Sequence, residues 1–357
     1  MLIVWSWCQD IGVLAFASVL VLFQSEGVES LSRGSHVYAK PGNSSPSSWL
    51  GSRLAANIST AGPVSGLLLV SGHQSKIPNQ LVLTGKWPSL LEAPGEVLAN
   101  IEHTLSLNPE LRVHYLGDAA CQTYIQEHFD DELLQMFVTE KRGSFRGDIC
   151  RTSVLAHEGG FYTDLDMEWK VPLHSVVSEL TSFMSAFGDR GEVLNALMAA
   201  EPGSAVMSAT LEQLRAWYRS GPRRNGGWMG PVTLLQALRD VHSSACPENV
   251  IFQKRQGAQS TQLEWACGQQ SFRLYQQRML NCKPKARLMR AAMPLAADPN
   301  GECPPERARS SFDGVRFGLF EPGSSGRLIA WPRFASCGQW GCGGGGWTLS
   351  TYDASAL

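Results

Sequence analysis

The sequence predicts an α/β domain with a mixed, mostly parallel sheet and flanking helices. Short apolar runs with strand character (Gln80–Thr84, Leu111–Gly117, Phe161–Asp166) alternate with longer stretches of helical periodicity. Gly, Pro, Asn and Asp punctuate the joints between them. Strands separated by helix-length segments can pair in parallel, because the helix provides the crossover.

The elements follow in order. In "KIPNQLVLTGKW", Gln80–Thr84 suits a short buried strand closed by a Gly turn. "PGEVLANIEHTLSLNPEL" places Val97, Leu98, Ile101, Leu105 and Leu107 on a helical stripe, and Asn108-Pro109 stops it. "LRVHYLG" is the second strand. Asp118 is placed to cap the helix "AACQTYIQEHF", with Tyr124, Ile125 and Phe129 on one side. "DDELLQMFVTE" is a further helix. "GDICRTSVLAHEGG" has an apolar side of Ile149, Cys150, Val154 and Leu155, and Gly159-Gly160 ends it. "FYTDLD" then starts at once as a strand. After Pro172, "EVLNALMAA" and "ATLEQLRAWYRS" read as mixed helix and loop, and "NGGWMGPVTLLQALRDV" as a Gly/Pro loop opening a helix. From about residue 243 the pattern is irregular and contains cysteine, ending in "SCGQWGCGGGGW".

The N-terminus has another character. Met1–Phe23 is apolar apart from Ser6, Gln9, Asp10 and Ser18, as expected for a signal peptide or signal anchor over residues 1–26. Residues 27–75, rich in Ser, Gly, Pro and Asn, read as a stem. Residues 76–357 form the remaining domain. Asn43-Ser44-Ser45 and Asn57-Ile58-Ser59 are N-glycosylation acceptors. Eight of the nine cysteines remain if Cys8 leaves with a signal, an even number compatible with disulfides. No Cys or His spacing suits a structural zinc. These features fit the secretory pathway. A charged fraction of 17%, a net charge of −2 and the lack of a Lys/Arg block argue against nucleic acid and against disorder.

Asp164 and Asp166, with Glu168 close behind, form a dense carboxylate group. On a strand, Asp164 and Asp166 share a face. Two like charges on one face need a cation, and a hard divalent ion takes carboxylate oxygens. Two carboxylates do not close a coordination shell, whereas diphosphate oxygens from a ligand can complete it. Asp-x-Asp alone is a common triplet, and a solvated strand end accounts for most instances. Asp148 and Arg151, three apart on the preceding helix, share a face and would ordinarily make a small local ion pair.

As a whole, "RGDICRTSVLAHEGGFYTDLDMEW" resembles the core of the DXD-containing glycosyltransferase sugar-binding region. That family includes outer-chain α-mannosyltransferases, α-1,4-galactosyl- and N-acetylglucosaminyltransferases and inositol-phosphorylceramide mannosyltransferases. "KIPNQLVLTGKW", "LNPELRVHYLGD", "NALMAAEPGSAVM" and "GPVTLLQAL" are similar to its other segments, so the likeness spans residues 76–240.

The resemblance implies a GT-A-type nucleotide-sugar transferase. Asp166 would be the direct metal ligand, with Asp164 beside it as catalytic and metal-site partner. Asp148 would bind sugar hydroxyls, and Arg151 would hold the nucleotide sugar. Tyr162 would lie near the ribose, and Leu83 and Thr84 near the base. Glu168 receives no role. The implied cofactor is Mn²⁺ or Mg²⁺, the co-substrate a UDP- or GDP-sugar, and the partner a glycan or glycolipid acceptor. Hexosyl transfer with retention is expected, in the Golgi lumen or after secretion.

The tail departs from the family pattern. "RFASCGQWGCGGGGWTLS" lacks the histidine that often closes the site; either Trp340 or Trp347 takes the capping part, or the tail is an unrelated, disulfide-tied glycine loop. Trp228 suits either an acceptor platform or the core. A carbohydrate-binding protein without turnover and a metal-dependent phosphoesterase are the competing functional classes.

Overall fold

The computed structural model describes residues 75–188, 191–220, 229–246, 262–281, 295–296, 315–323 and 326–332. The expected signal or anchor, the stem, both glycosylation acceptors, Trp228 and the Gly/Cys/Trp tail lie outside the described residues. Among the described residues, no helix is long and apolar enough to cross a membrane.

Gln80–Gly85 forms β1, Gly95–Leu107 α1 and Arg112–Gly117 β2, as the sequence pattern predicts. Three helices follow: α2 (Asp118–His128), α3 (Asp131–Thr139) and α4 (Gly143–His157). Asp130 caps α3 by accepting from Leu133 N at 3.0 Å. Asp118 does not cap α2: Gly117 is the N-cap, and Asp118 accepts from Arg146 at 2.6 Å instead.

Gly159 and Gly160, with φ of 71° and 108°, end α4 and reverse the chain into β3 (Gly160–Thr163). Bulkier residues are excluded here. A Cβ on Gly159 would lie 2.6 Å from Ala200 O, and one on Gly160 2.5 Å from Gln80 Cγ. β4 (Met167–Trp169), β5 (Phe183–Phe187) and β6 (Val193–Ala200) come next. They precede α5 (Ala205–Arg219) and α6 (Met229–Ala245). The chain continues as β7 (Glu264–Cys267), β8 (Gln270–Asn281), β9 (Leu295–Ala296), β10 (Val315–Phe320) and β11 (Leu328–Pro332).

The sheet is mixed, and its order is β2-β1-β3-β6-β5-β8-β10-β11-β4, with β7 and β9 both on β8. β1 pairs in parallel with β2 and β3, and β8 with β5 and β9. The other pairings are antiparallel, so among the described strands the sheet is mixed without the expected parallel majority. Two sequence expectations are corrected here. "EVLNALMAA", read as mixed helix and loop, is β6, paired with both β3 and β5. The stretch after residue 243, read as irregular, supplies further strands of the same sheet.

The connection between β3 and β4 decides where the site lies. Residues 164–166 alone join them, yet five other strands stand between them in the sheet order. The sheet must therefore curl until its last strand returns beside its third. A hydrogen bond from Trp169 Nε1 to Thr163 Oγ1 (3.1 Å, buried) ties the two strands together.

Helices cover both faces, and alternation along the strands assigns side chains to them. Val82, Tyr162 and Met198 face a core built with α2–α6. Leu81, Leu83, Phe161, Leu197 and Ala199 face the opposite core with Val97, Leu98 and Ile101 of α1. A fully buried residue such as Leu83 contributes about 2 kcal/mol. Two disulfides brace the described part, Cys121–Cys150 between α2 and α4 and Cys246–Cys267 between the end of α6 and β7.

Candidate active site

Asp164, Leu165 and Asp166 form a turn rather than the end of a strand. β3 stops at Thr163, and Met167 N donates to Asp164 O at 3.0 Å. Asp164 and Asp166 therefore do not share a strand face as the sequence pattern predicts, although their charges still interact. Asp164 N donates to Ala196 O at 2.7 Å, which anchors the turn to β6.

The three acids of this stretch differ in their partners. Asp164 Oδ1 accepts from Arg151 Nη1 at 2.8 Å and from Tyr162 Oη at 2.6 Å. Glu168 pairs with Lys170 Nζ at 2.5 Å. Asp166 has no Lys, Arg or His within ion-pairing distance among the described residues, while Asp164 stands beside it. Burial, and then the charge of Asp164, push its carboxyl up to about 7.

Arg151 is the hub. Its position on α4 puts it one helical turn from Asp148, whose Oδ1 is 3.5 Å from Nη2. Nε donates to Gly147 O at 3.1 Å, and Nη1 also donates to Asn195 O at 2.9 Å. The guanidinium lies 4.5 Å from the centre of the Tyr162 ring. Burial works against its charge; Asp164, then Tyr162 and Asp148, overcome that and hold it protonated above its ordinary range.

Asp148 is 7% exposed. It accepts from Asn195 Nδ2 at 2.7 Å and from the Gly230 backbone at the start of α6. That backbone N–H is one of the helix donors with no partner inside the helix, and the helix dipole favours an anion there. Burial lifts the Asp148 carboxyl, Arg151 pulls it down and Asp164 lifts it again, leaving it at about 6. Gly230 permits this approach. A Cβ there would meet Asn195 Nδ2 at 1.9 Å and Asp148 Cγ at 2.7 Å.

The structure therefore brings together Asp148, Arg151, Tyr162, Asp164 and Asp166 in and beside one network. Thr84 joins it, its Oγ1 3.3 Å from Tyr162 Oη. Leu83 is fully buried, its side chain in the α1-side core. Asn195 and Gly230 were not singled out by the sequence reasoning. Both lie in segments noted for family likeness, "NALMAAEPGSAVM" and "GPVTLLQAL", and that was their only signal.

A divalent cation suits these residues. The Asp166 carboxylate has no cationic partner among the described residues and faces a like charge, which an ion would relieve. Asp164 is held on one oxygen by Arg151 and Tyr162, which leaves it oriented beside the same position.

The resemblance read from the sequence is supported by comparison with known proteins. Residues 94–183 match the family model described as the glycosyltransferase sugar-binding region containing DXD motif. No curated protein gives a significant match to the chain. Among solved structures, the PaToxG glycosyltransferase is similar with 14% identity and a TM-score of 0.38, over 48% of this chain and 71% of that one. The UDP-bound glycosyltransferase domain from the YGT toxin shows 16% identity and a TM-score of 0.24, over 41% and 42%. Mouse xyloside xylosyltransferase 1 in its apo form shows 12% identity and a TM-score of 0.29, over 46% and 68%.

Proposed function

We propose that this protein is a metal-dependent glycosyltransferase that moves a hexose from a UDP- or GDP-sugar to a hydroxyl of a glycan or glycolipid. One observation carries the reading: Asp166, with no cationic side-chain partner among the described residues, stands beside an Asp164 already held by Arg151, next to a buried Asp148 that can accept hydroxyl donors. A divalent ion held by Asp166, with Asp164 beside it, would offset the charge on a diphosphate leaving group.

Each side chain has work to do. Asp148, oriented by Asn195 and the start of α6, accepts hydrogen bonds from donor-sugar hydroxyls. Arg151 fixes Asp164 and Asp148 relative to each other. Its rigid fork serves several acceptors at once. Tyr162 and Thr84, 3.3 Å apart, border the nucleotide end, where the C-terminal end of β1 would meet the base. Retention of configuration follows the family likeness, with front-face attack by the acceptor as the working mechanism. Mn²⁺ is the favoured ion and Mg²⁺ the alternative. The two disulfides are consistent with the secretory pathway, and we assign the protein to the Golgi lumen or the secreted fraction.

The test is thermal stabilisation of the purified protein by a panel of UDP- and GDP-sugars with and without Mn²⁺, followed by transfer assays with the donor that binds. Metal-dependent stabilisation and sugar transfer support the reading. Binding without transfer favours a non-catalytic carbohydrate-binding role. Phosphate release from simple esters without sugar transfer favours a hydrolase.

A further inference from the structure

Helix α1 buries a polar stripe against the segment that carries Asp166. Asn100 is 2% exposed, Thr104 2% and Asn108, just past the helix end, 0%. Positions four apart share one helical face. Buried polar side chains at this density need partners, and here most of the partners lie on residues 165–173.

Asn100 Nδ2 donates to Leu165 O at 3.0 Å and to Met167 O at 2.8 Å. Both acceptors are carbonyls, so the amide orientation is fixed by them and both hydrogens are used. His103 Nε2 is 2.9 Å from Trp169 O and must act as the donor there. Asn108 Oδ1 accepts from Leu173 N at 2.6 Å, and its Nδ2 donates to Thr104 O at 2.7 Å. Thr104 Oγ1 bonds within the helix, to Asn100 O at 3.1 Å. The sheet does not satisfy these groups, because β4 is three residues long and, among the described residues, pairs only with β11.

We infer that Asn100 is a positioning residue for the Asp164–Asp166 turn, its carboxamide bracketing Asp166 through the carbonyls of Leu165 and Met167. The inference rests on the metal-dependent reading of that turn. It extends the site to an element that touches no substrate. Groups that orient metal ligands typically change metal affinity by about 10- to 100-fold when removed.

The test compares Asn100→Ala and Asn100→Ser with Thr104→Val, which removes a buried hydroxyl from the same stripe without touching the turn. Two quantities are read: backbone amide exchange of residues 163–170 in the metal-free protein, and Mn²⁺ affinity in the presence of UDP by calorimetry. The expected result is faster exchange in that segment alone and Mn²⁺ binding weaker by about tenfold for the Asn100 variants, with Thr104→Val unchanged in both. Should Asn100→Ala not fold, Asn100→Ser, which keeps a donor on a shorter side chain, is read the same way. Unaltered exchange in a folded Asn100 variant overturns the positioning role. Altered exchange with unaltered Mn²⁺ affinity overturns its link to the metal. A wild-type protein that binds neither Mn²⁺ nor UDP overturns the functional reading itself, which the exchange data do not depend on.

Discussion

Arg151 Nη1 lies 2.8 Å from Asp164 Oδ1, so the first acid of the Asp-x-Asp triplet has its charge answered within the protein. The second has no such partner among the described residues. This asymmetry, more than the triplet itself, defines the site. The same guanidinium holds Asp148 and the Asn195 carbonyl. Removing it would leave the buried Asp148 and the half-buried Asp164 without this cation. Arg151→Ala should therefore lose about 3 kcal/mol of stability. Arg151→Lys should recover little, because one ammonium cannot match the fork. Urea denaturation midpoints measure both. A stable Arg151→Ala protein would contradict the hub role.

Asp166 should behave in the opposite way. Among the described residues it makes no ion pair that a substitution could break, and Asp164 repels it. Asp166→Ala is expected to keep or raise the melting temperature while metal-dependent transfer falls by at least about a hundredfold. Circular dichroism melts and Mn²⁺ titrations of activity check the two halves separately. An active Asp166→Ala enzyme would remove the metal assignment.

Asp148 ties pH to stability. Its carboxyl is raised from 3.8 to about 6, so between those values the folded protein holds a proton that the unfolded chain has lost. Stability from this group is complete below 3.8 and is lost as pH rises through about 6. Asp148→Asn removes that loss. The variant's melting temperature relative to wild type should be more favourable near neutral pH than near pH 4, while stabilisation by a donor sugar disappears. A difference that does not change with pH would show that Asp148 is not raised.

Much of this was legible in the sequence, and the exceptions have physical causes. β1, α1, β2, α4 and the Gly159-Gly160 reversal follow from local periodicity and turn chemistry. β6 was misread because Leu, Met and Ala favour helices in isolation. It pairs with a strand on each side, and its buried Leu197, Met198, Ala199 and Ala200 show no alternation to betray a strand. Asp148 and Arg151 were visible because three residues on a helix bring them together. Asn195 and Gly230 come from a distant strand and helix, and only the tertiary fold puts them against Asp148. Asn100 was hidden for a similar reason. Its stripe looks like ordinary polar helix surface until the curled sheet lays the Asp166 turn over it.

The Cys121–Cys150 bridge joins α2 to the helix that carries Asp148 and Arg151, across 29 residues. Closing a loop of that length restricts the unfolded chain by about 3–4 kcal/mol in the chain-entropy picture. Replacing both cysteines with serine should lower the denaturation midpoint accordingly. The Asp148–Arg151 geometry is fixed within α4, so donor affinity in the folded variant should stay close to wild type. Paired unfolding and donor-binding measurements separate these effects, and a loss of binding without loss of stability would mean that the bridge shapes the site directly.

Gly230 offers the sharpest test of the proposed sugar-binding role of Asp148. Its N–H reaches Asp148 only because the start of α6 carries no side chain at that point. A methyl group there would collide with the Asn195 amide at 1.9 Å and with the Asp148 carboxyl carbon at 2.7 Å. Neither neighbour can simply swing away, since Asn195 is bonded to Asp148 and its carbonyl to Arg151. Gly230→Ala should therefore cost about 1–3 kcal/mol from overpacking. Donor binding should fall further than that stability loss explains, because Asp148 must move to make room. Thermal melts with and without the donor sugar distinguish the two effects. If the variant binds the donor as wild type does, Asp148 is not the group that holds the sugar.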